Sequence, residues 1–337
     1  MNSDYTSLQS QKIAIYSEEM ESFRIHTVSN GYDPGKPTLL LQHGYLGSVR
    51  DYYPFFSRFS DKFNILSFDL RGHGKSDSPS GDWTIDSLVS DTYQVVRQMI
   101  PEGQKLIVVG NSLSTAITLS FASKYPELIQ KIFLISPTSK FSISLMRRFV
   151  IKWMAITPDK LISSSLKLVD LSINNILGDK SGAKAKDAIE KIRHISVPVH
   201  KKILQATLPS YDQSVAEIQI PMMIVAGEKD NIVPFMDSLV VNANAPQSSI
   251  LVLKNTKHLI LVTRTNLILD IFEQWINTQS ELLTDVEHYH EDDLVRTGGH
   301  VLLPEEWEST QCDTTHLDPE KSEEFLLQPV NVFSRMM

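Results

Sequence analysis

The sequence predicts an α/β fold in which helices cover a mostly parallel central sheet. Eight short apolar segments alternate with longer stretches of helical pattern, as expected for strands joined by helices. Several of these segments are continuous runs of Val, Ile and Leu, which strands buried on both faces require. A ligand site is expected where the strands end. The predicted strands are KIAIYS, FRIHTVS, PTLLLQHG, FNILSFDLRG, KLIVVGNS, IQKIFLISP, PMMIVAGEKD and SSILVLKN.

Two of the intervening segments have clear helical patterns. The segment TIDSLVSDTYQVVRQMI opens with Thr84, whose side chain can cap the first turn of a helix. The segment TNLILDIFEQWINTQ is apolar on one face, as a helix that packs on a sheet must be. We therefore expect both to lie against the sheet.

Two regions break the alternation of strands and helices. Residues 140–211 contain helical stretches such as SLMRRFVIKWMAI and no convincing strand, which predicts a helical cap inserted into the fold. After residue 279 the chain is acidic and without clear periodicity, which predicts a loosely ordered tail. The predicted domains are a first core part (1–138), a cap or lid (139–215), a second core part (216–279) and the acidic tail (280–337).

The formal net charge of -8 is unevenly distributed. Residues 140–212 carry 13 Lys and Arg against 6 Asp and Glu, whereas residues 281–337 carry 3 against 14. The basic cap suits an anionic carrier or an anionic membrane surface, although a solvated basic face explains it equally well. The acidic tail is expected to contact the cap or a protein partner, and nucleic acid is not expected as a partner.

Composition also restricts the compartment. Cys312 is the single cysteine, so the chain can form neither an intramolecular disulfide nor a multi-cysteine zinc site. The first residues, MNSDYTSLQSQ, lack the pattern of a signal peptide, and no apolar run is long enough to span a membrane. A cytoplasmic location is expected. The histidines and carboxylates of EHYHEDD lack zinc-like spacing, so no metal site is predicted.

The segment LIVVGNSLSTAI, residues 106–117, places Ser112 where a predicted strand turns into a helix. In such a turn the serine hydroxyl is exposed and neighbouring backbone amides point toward it, which suits a nucleophile. A serine at this position can also be an ordinary turn or capping residue. The motif alone does not separate these two interpretations.

Four sequence blocks in this order resemble the α/β-hydrolase fold family. LLLQHGYLGS is similar to its strand and oxyanion loop, and FNILSFDLRGHGKSD to its next strand and turn. PMMIVAGEKDNIVP resembles its acid strand and NTKHLI its histidine loop. The resemblance covers residues 12–278 apart from the cap. It implies an α/β-hydrolase fold, with a helical cap insertion.

The family order of serine, aspartate and histidine maps onto Ser112, Asp230 and His258. The resemblance implies that Ser112 is the nucleophile, that His258 takes its proton and that Asp230 orients His258. Glu228 is a nearby rival for the acid, but its place in the block favours Asp230. His258 is the only histidine between His200 and His288, so it has no competitor there.

The resemblance also implies an oxyanion hole formed by the amides of Tyr45 and Leu113. His43 and His73 are expected to organise this loop and the neighbouring turn. Two residues depart from the common elbow pattern: Asn111 replaces a frequent histidine, and Ser114 replaces the final glycine. Because serine is small, we interpret Ser114 as a tolerated variant.

These residues predict a serine hydrolase that cleaves a carboxylic ester or thioester through an acyl-serine. The small-molecule substrate is expected to carry an apolar acyl chain, and no metal or organic cofactor is required. A serine at the elbow disfavours epoxide opening and halide displacement, which use a carboxylate there. An acyltransferase, a carbon–carbon bond hydrolase and a hydrolase-derived receptor or scaffold remain alternatives. The predicted substrate-binding residues are Leu46, Met146, Phe149 and Trp153.

Overall fold

A computed structural model of the chain shows the arrangement of the core. The residues that it describes are 7–16, 21–81, 83–137, 157–158, 196–207, 217–277 and 294–295. Three of the predicted substrate-binding residues, Met146, Phe149 and Trp153, lie outside this described part, as do most of the predicted cap and tail. The predicted domain boundaries therefore stay predictions.

The predicted α/β fold with a mostly parallel sheet is confirmed. The strands are ordered β1-β2-β4-β3-β5-β6-β7-β8-β9 across one sheet. Pairing is parallel from β4 through β3, β5, β6 and β7 to β8, and antiparallel at both ends. The strands are β1 Gln9–Ile15, β2 Phe23–Ser29, β3 Thr38–Gln42, β4 Asn64–Phe68, β5 Leu106–Asn111, β6 Ile129–Ile135, β7 Met222–Gly227, β8 Ser248–Leu253 and β9 Leu294–Val295.

Each of the eight predicted segments overlaps one of the strands β1 to β8. β1 begins earlier than predicted, at Gln9, because the polar residues Gln9 to Gln11 still pair with β2 through their backbones. β9 was not predicted, since two residues within an acidic region form no apolar run. It pairs antiparallel with β8 at the edge of the sheet.

Helices cover both faces of the sheet. In the described residues they are α1 Tyr53–Phe59, α2 Ile85–Met99, α3 Leu113–Lys124, α4 Val197–Ala206, α5 Phe235–Asn244, α6 Ile260–Thr263 and α7 Thr265–Asn277. The predicted N-terminal capping of helix α2 by Thr84 is confirmed, because the Thr84 side chain accepts a hydrogen bond from the Ser87 amide. Within these ranges, no helix has both the length and the apolar character needed to cross a lipid bilayer.

Alternate strand residues enter two separate apolar cores. Leu40 and Val108 pack in the core that contains residues of α2, α3 and α5. Leu39, Leu41 and Val109 pack in the other, with residues of α1 and α7. All residues of β3, β4, β7 and β8 are buried, which explains their continuous apolar runs. The parallel strands therefore present their carboxyl ends along one fixed edge.

Candidate active site

Ser112 occupies a strained turn between β5 and α3. Its φ of 53° and ψ of -117° lie in a region that L-residues rarely adopt, at a cost of about 1–3 kcal/mol. Hydrogen bonds hold the turn in place: the Ser112 amide donates to the Ile135 carbonyl, and the Thr115 amide donates to the Ser112 carbonyl, both at 2.9 Å. The buried strand on one side and the helix on the other thus enforce this backbone conformation.

The three residues predicted as a triad form a continuous hydrogen-bonded chain. Ser112 Oγ lies 2.9 Å from His258 Nε2, and His258 Nδ1 lies 2.8 Å from Asp230 Oδ2. Both His258 and Asp230 are buried. These distances match those needed to pass a proton from the serine to the imidazole while the carboxylate orients the ring.

Asp230 is itself oriented by the loop that follows β7. Its Oδ1 accepts hydrogen bonds from the amides of Ile232 and Val233, both at 2.9 Å, which leaves Oδ2 for His258. The rival carboxylate, Glu228, instead accepts a hydrogen bond from the Asn255 amide at 2.6 Å. The structure therefore places Asp230, and not Glu228, beside the imidazole.

Two glycines allow the loops of the site to approach one another. A Cβ on Gly227 would lie 2.5 Å from the Thr256 carbonyl oxygen, so the histidine loop packs directly on the end of β7. A Cβ on Gly44 would lie 2.8 Å from the Asn111 carbonyl oxygen and 3.1 Å from Ser112 Cβ. The loop after β3 therefore reaches the candidate nucleophile through its backbone.

The predicted oxyanion residues lie on the two sides of Ser112. Leu113 follows it at the start of α3, and Tyr45 lies in a turn closed by a hydrogen bond from the Gly47 amide to the Gly44 carbonyl. Leu46, in the same turn, has a φ of 66° and is partly buried against the apolar core. The first amides of a helix have no carbonyl partner within it, so the Leu113 amide is suited to an oxyanion.

The structural roles expected for His43 and His73 are confirmed. His43 Nδ1 donates to the Gly44 carbonyl at 2.7 Å, and its Nε2 accepts from the Leu70 amide at 2.9 Å. His73 is fully buried with its Nδ1 3.1 Å from the Arg71 carbonyl. Burial, aided by the nearby His43, lowers the pKa of His73 to about 3, so it remains neutral at ordinary pH.

Ser114 has a larger role than sequence analysis predicted. Its hydroxyl donates to the Gln42 carbonyl at 2.5 Å and accepts a hydrogen bond from the Asn111 amide at 2.8 Å. The side chain is fully buried. Ser114 therefore joins the elbow to the end of β3, a function that glycine could not perform. The presence of serine where the elbow pattern usually has glycine was the sequence feature that could have indicated this role.

A second chain of serine, histidine and aspartate lies at the antiparallel edge of the sheet, and sequence analysis did not identify it. Ser10 Oγ is 2.9 Å from His26 Nε2, and His26 Nδ1 is 2.7 Å from Asp69 Oδ2. Burial would raise the pKa of Asp69, but hydrogen bonds from His26 and from the amides of Lys75 and Val49 lower it. Ser10 lies in the extended strand β1, where the backbone makes no elbow.

Comparison with known proteins agrees with the fold. The family model of the alpha/beta hydrolase fold matches residues 37–265. "Putative carbamate hydrolase RutD" of Agrobacterium fabrum is 26% identical over 241 residues, covering 70% of this chain and 91% of that protein. Lipase 1 of Psychrobacter immobilis is 23% identical over 238 residues, covering 69% of this chain and 74% of the lipase.

Solved structures show the same architecture. A thermophilic esterase from Thermogutta terrifontis superposes with a TM-score of 0.65 at 18% identity, covering 80% of this chain and 98% of the esterase. A bromoperoxidase from Bacillus anthracis has a TM-score of 0.67 at 19% identity, covering 80% of this chain and all of that protein. Because the family model spans more than half of the sequence, the chain belongs to the α/β-hydrolase fold family.

Proposed function

We propose that this protein is a serine hydrolase that cleaves a carboxylic ester or thioester through an acyl-serine intermediate. The observation that carries the proposal is the hydrogen-bonded chain from Ser112 through His258 to Asp230, at distances of 2.9 and 2.8 Å. A serine hydroxyl is a weak nucleophile at neutral pH, so a base within hydrogen-bond reach is the feature that activates it.

In the proposed reaction, Ser112 Oγ attacks the acyl carbon while its proton passes to His258 Nε2. Asp230 stabilises the imidazolium and holds its Nδ1–H in place. The protonated His258 then gives its proton to the leaving alcohol or thiol, which leaves an acyl-serine. Water attacks this ester with His258 again as the base, and the acid and free Ser112 are released.

The developing oxyanion is met by the amides of Tyr45 and Leu113. The close approach of Gly44 to Ser112 supports this role, because Tyr45 directly follows Gly44 in the chain. Loss of a single oxyanion donor typically lowers the rate by about 10²- to 10³-fold. These amides are held by the turn and by α3, so they need no rearrangement as charge develops.

The substrate is proposed to have an apolar acyl group, with Leu46 as one of the residues that contact it. Relatives that include a lipase support an ester substrate. One relative is named a putative carbamate hydrolase, so a carbamate is the substrate to compare with the esters. The same serine can attack the carbonyl carbon of a carbamate. A panel of aryl esters of increasing chain length, an acyl thioester and an aryl carbamate therefore defines the substrate class.

The first experiment is labelling of the purified protein with a fluorophosphonate probe. We expect labelling of the native protein and none of the Ser112→Ala or His258→Ala variants. Ser10→Ala is the matched control, because Ser10 is also hydrogen-bonded to a histidine that in turn bonds an aspartate, but it does not lie in an elbow turn. This variant should be labelled normally. Folded protein that fails to label would contradict the proposal and favour a binding role. Product analysis with an added acyl acceptor separates hydrolysis from acyl transfer.

A further inference from the structure

The side chain of Tyr45 leaves the oxyanion loop and contacts a helix of the predicted cap. Its phenol forms a short hydrogen bond with Nδ1 of His200, which lies 155 residues away in sequence on α4. The two rings meet edge to face, with centroids 5.7 Å apart and an interplanar angle of 88°. Tyr45 thus has its backbone at the proposed oxyanion site and its polar end on another element.

Both partners of this hydrogen bond are shielded from water. Burial raises the pKa of the Tyr45 phenol, so the phenol keeps its proton in its hydrogen bond with His200 Nδ1. His200 is buried, with 3% of its surface exposed. The Tyr45 ring also meets His73 edge on, with centroids 6.2 Å apart. The ring is therefore confined by a rigid turn and by α4.

Helix α4 is fixed to the core, so His200 is a stable support. A Cβ on Gly72 would lie 2.8 Å from Val199 Cγ1, which shows how closely the helix approaches the turn after β4. Lys202 Nζ donates to the Pro79 carbonyl at 2.7 Å and lies 5.2 Å from the centroid of the Trp83 ring. Residues on both sides of His200 in sequence therefore pack α4 on the core, and Val199 makes the closer approach.

The loop that carries Tyr45 is anchored at both ends. His43 anchors the start of the loop through its bonds to the Gly44 carbonyl and the Leu70 amide. The Val49 amide anchors the end through Asp69 Oδ1 at 2.8 Å. Between these anchors the Tyr45 phenol provides a third, through its hydrogen bond to His200 on α4. Because the side chain and the amide belong to the same residue, a displacement of Tyr45 away from His200 would also displace its amide.

We infer that His200 is a positioning residue that holds Tyr45, and through it the oxyanion amide, in the geometry needed for the reaction. This role rests on the proposed function, and it assigns to α4 a part in transition-state stabilisation besides covering the core. Oxyanion donors act by being aligned before charge develops, so a small loss of alignment lowers the rate of the chemical step.

The test compares Tyr45→Phe, His200→Leu, their double variant and His200→Asn, whose side-chain amide can replace Nδ1 as the hydrogen-bond partner of the phenol. Tyr45→Phe and His200→Leu should each lower kcat by about tenfold, as expected for loss of one hydrogen bond. KM should stay within about twofold, because substrate binding is not affected. The double variant should be no worse than either single variant, and His200→Asn should recover most of the activity.

Lys202→Met is the matched control, since it removes one contact between α4 and the core but leaves the close approach of Val199 to Gly72 and the hydrogen bond between Tyr45 and His200. It should lower the melting temperature but leave kcat unchanged. A hundredfold loss in the double variant, a change in KM alone, or an equal loss of kcat in Lys202→Met would overturn the inference. If the native protein neither hydrolyses esters nor reacts with the fluorophosphonate, the proposed function itself fails; if only the coupling is absent, the role of His200 alone fails.

Discussion

Replacing Ser114 with alanine tests whether its hydroxyl holds the elbow in place. The substitution removes the acceptor of the Asn111 amide, which now bonds Ser114 Oγ at 2.8 Å. The Gln42 carbonyl also loses its bond from Ser114 but keeps one from the Tyr52 hydroxyl at 2.8 Å. The cost is therefore dominated by one amide without an acceptor, for which about 1–3 kcal/mol is expected. We expect Ser114→Ala to lower the free energy of unfolding by about 2 kcal/mol.

The matched control for this substitution is Ser67→Ala in β4. Ser67 is equally buried, and its hydroxyl donates to the Leu41 carbonyl at 3.0 Å. Its removal leaves no amide without an acceptor, so a smaller loss of about 0.5–1 kcal/mol is expected. Urea unfolding curves of the three proteins, compared by midpoint and slope, measure both values.

The two variants should also differ in reactivity. Loosening of the Asn111 backbone in Ser114→Ala lets Ser112 leave its strained conformation, and a displacement of about 1 Å can cost about 10²-fold in rate. We expect the rate of fluorophosphonate labelling to fall on the order of tenfold in Ser114→Ala, and to be unchanged in Ser67→Ala. Equal stability and equal labelling in both variants would show that Ser114 is only a small residue tolerated in place of glycine.

Three further predictions concern the core and the loops. Because the pKa of His73 falls from 6.5 unfolded to about 3 in the native protein, the native state binds fewer protons, so stability is lost as pH falls below 6.5. Native protein should lose about 2 kcal/mol more than His73→Gln between pH 7.5 and 5, by urea unfolding, and an equal slope in both would contradict this. Arg71→Met should lower the free energy of unfolding by about 3–5 kcal/mol in the same assay, since it leaves buried Asp91 without its ion pair at 2.6 Å. Adding Asp91→Leu should recover most of that loss. Gly227→Ala should displace the histidine loop and slow labelling at least about tenfold, whereas Gly35→Ala, with only a side-chain contact at 3.3 Å, should not.

The central sheet was predictable because burial on both faces leaves a direct mark in the sequence. Segments such as Leu106 to Val109 are apolar at every position, and each such run is a strand. The ends of the strands were less predictable. Residues Gln9 to Gln11 join β1 through backbone pairing, which places no demand on their side chains. Strand β9 was missed for the same reason, because Leu294 and Val295 join the sheet through backbone pairing with the edge strand β8.

The hydrogen-bonded chain of the candidate site was predictable for a different reason. Ser112, Asp230 and His258 follow the ends of separate strands in a fixed order, and the short motif around each makes it visible. His200 has no such motif, since it occurs among ordinary helix-forming residues and meets Tyr45 only through the packing of α4. Contacts made by tertiary packing across 155 residues leave no local pattern to read.

The two chains of serine, histidine and aspartate show what a hydrogen-bonded triad does and does not provide. Their distances agree within 0.1 Å, so proton transfer to histidine is geometrically open to both Ser10 and Ser112. The difference lies in the backbone, because Ser112 is raised on a strained turn beside the amide of Leu113 and the glycine loop, whereas Ser10 lies in an extended edge strand. When the serine oxygen bonds to a carbonyl carbon, negative charge develops on the carbonyl oxygen, and donors must already surround that oxygen. Reactivity confined to Ser112 would therefore locate the catalytic power of this fold in the elbow and its amides, with the triad as a necessary partner.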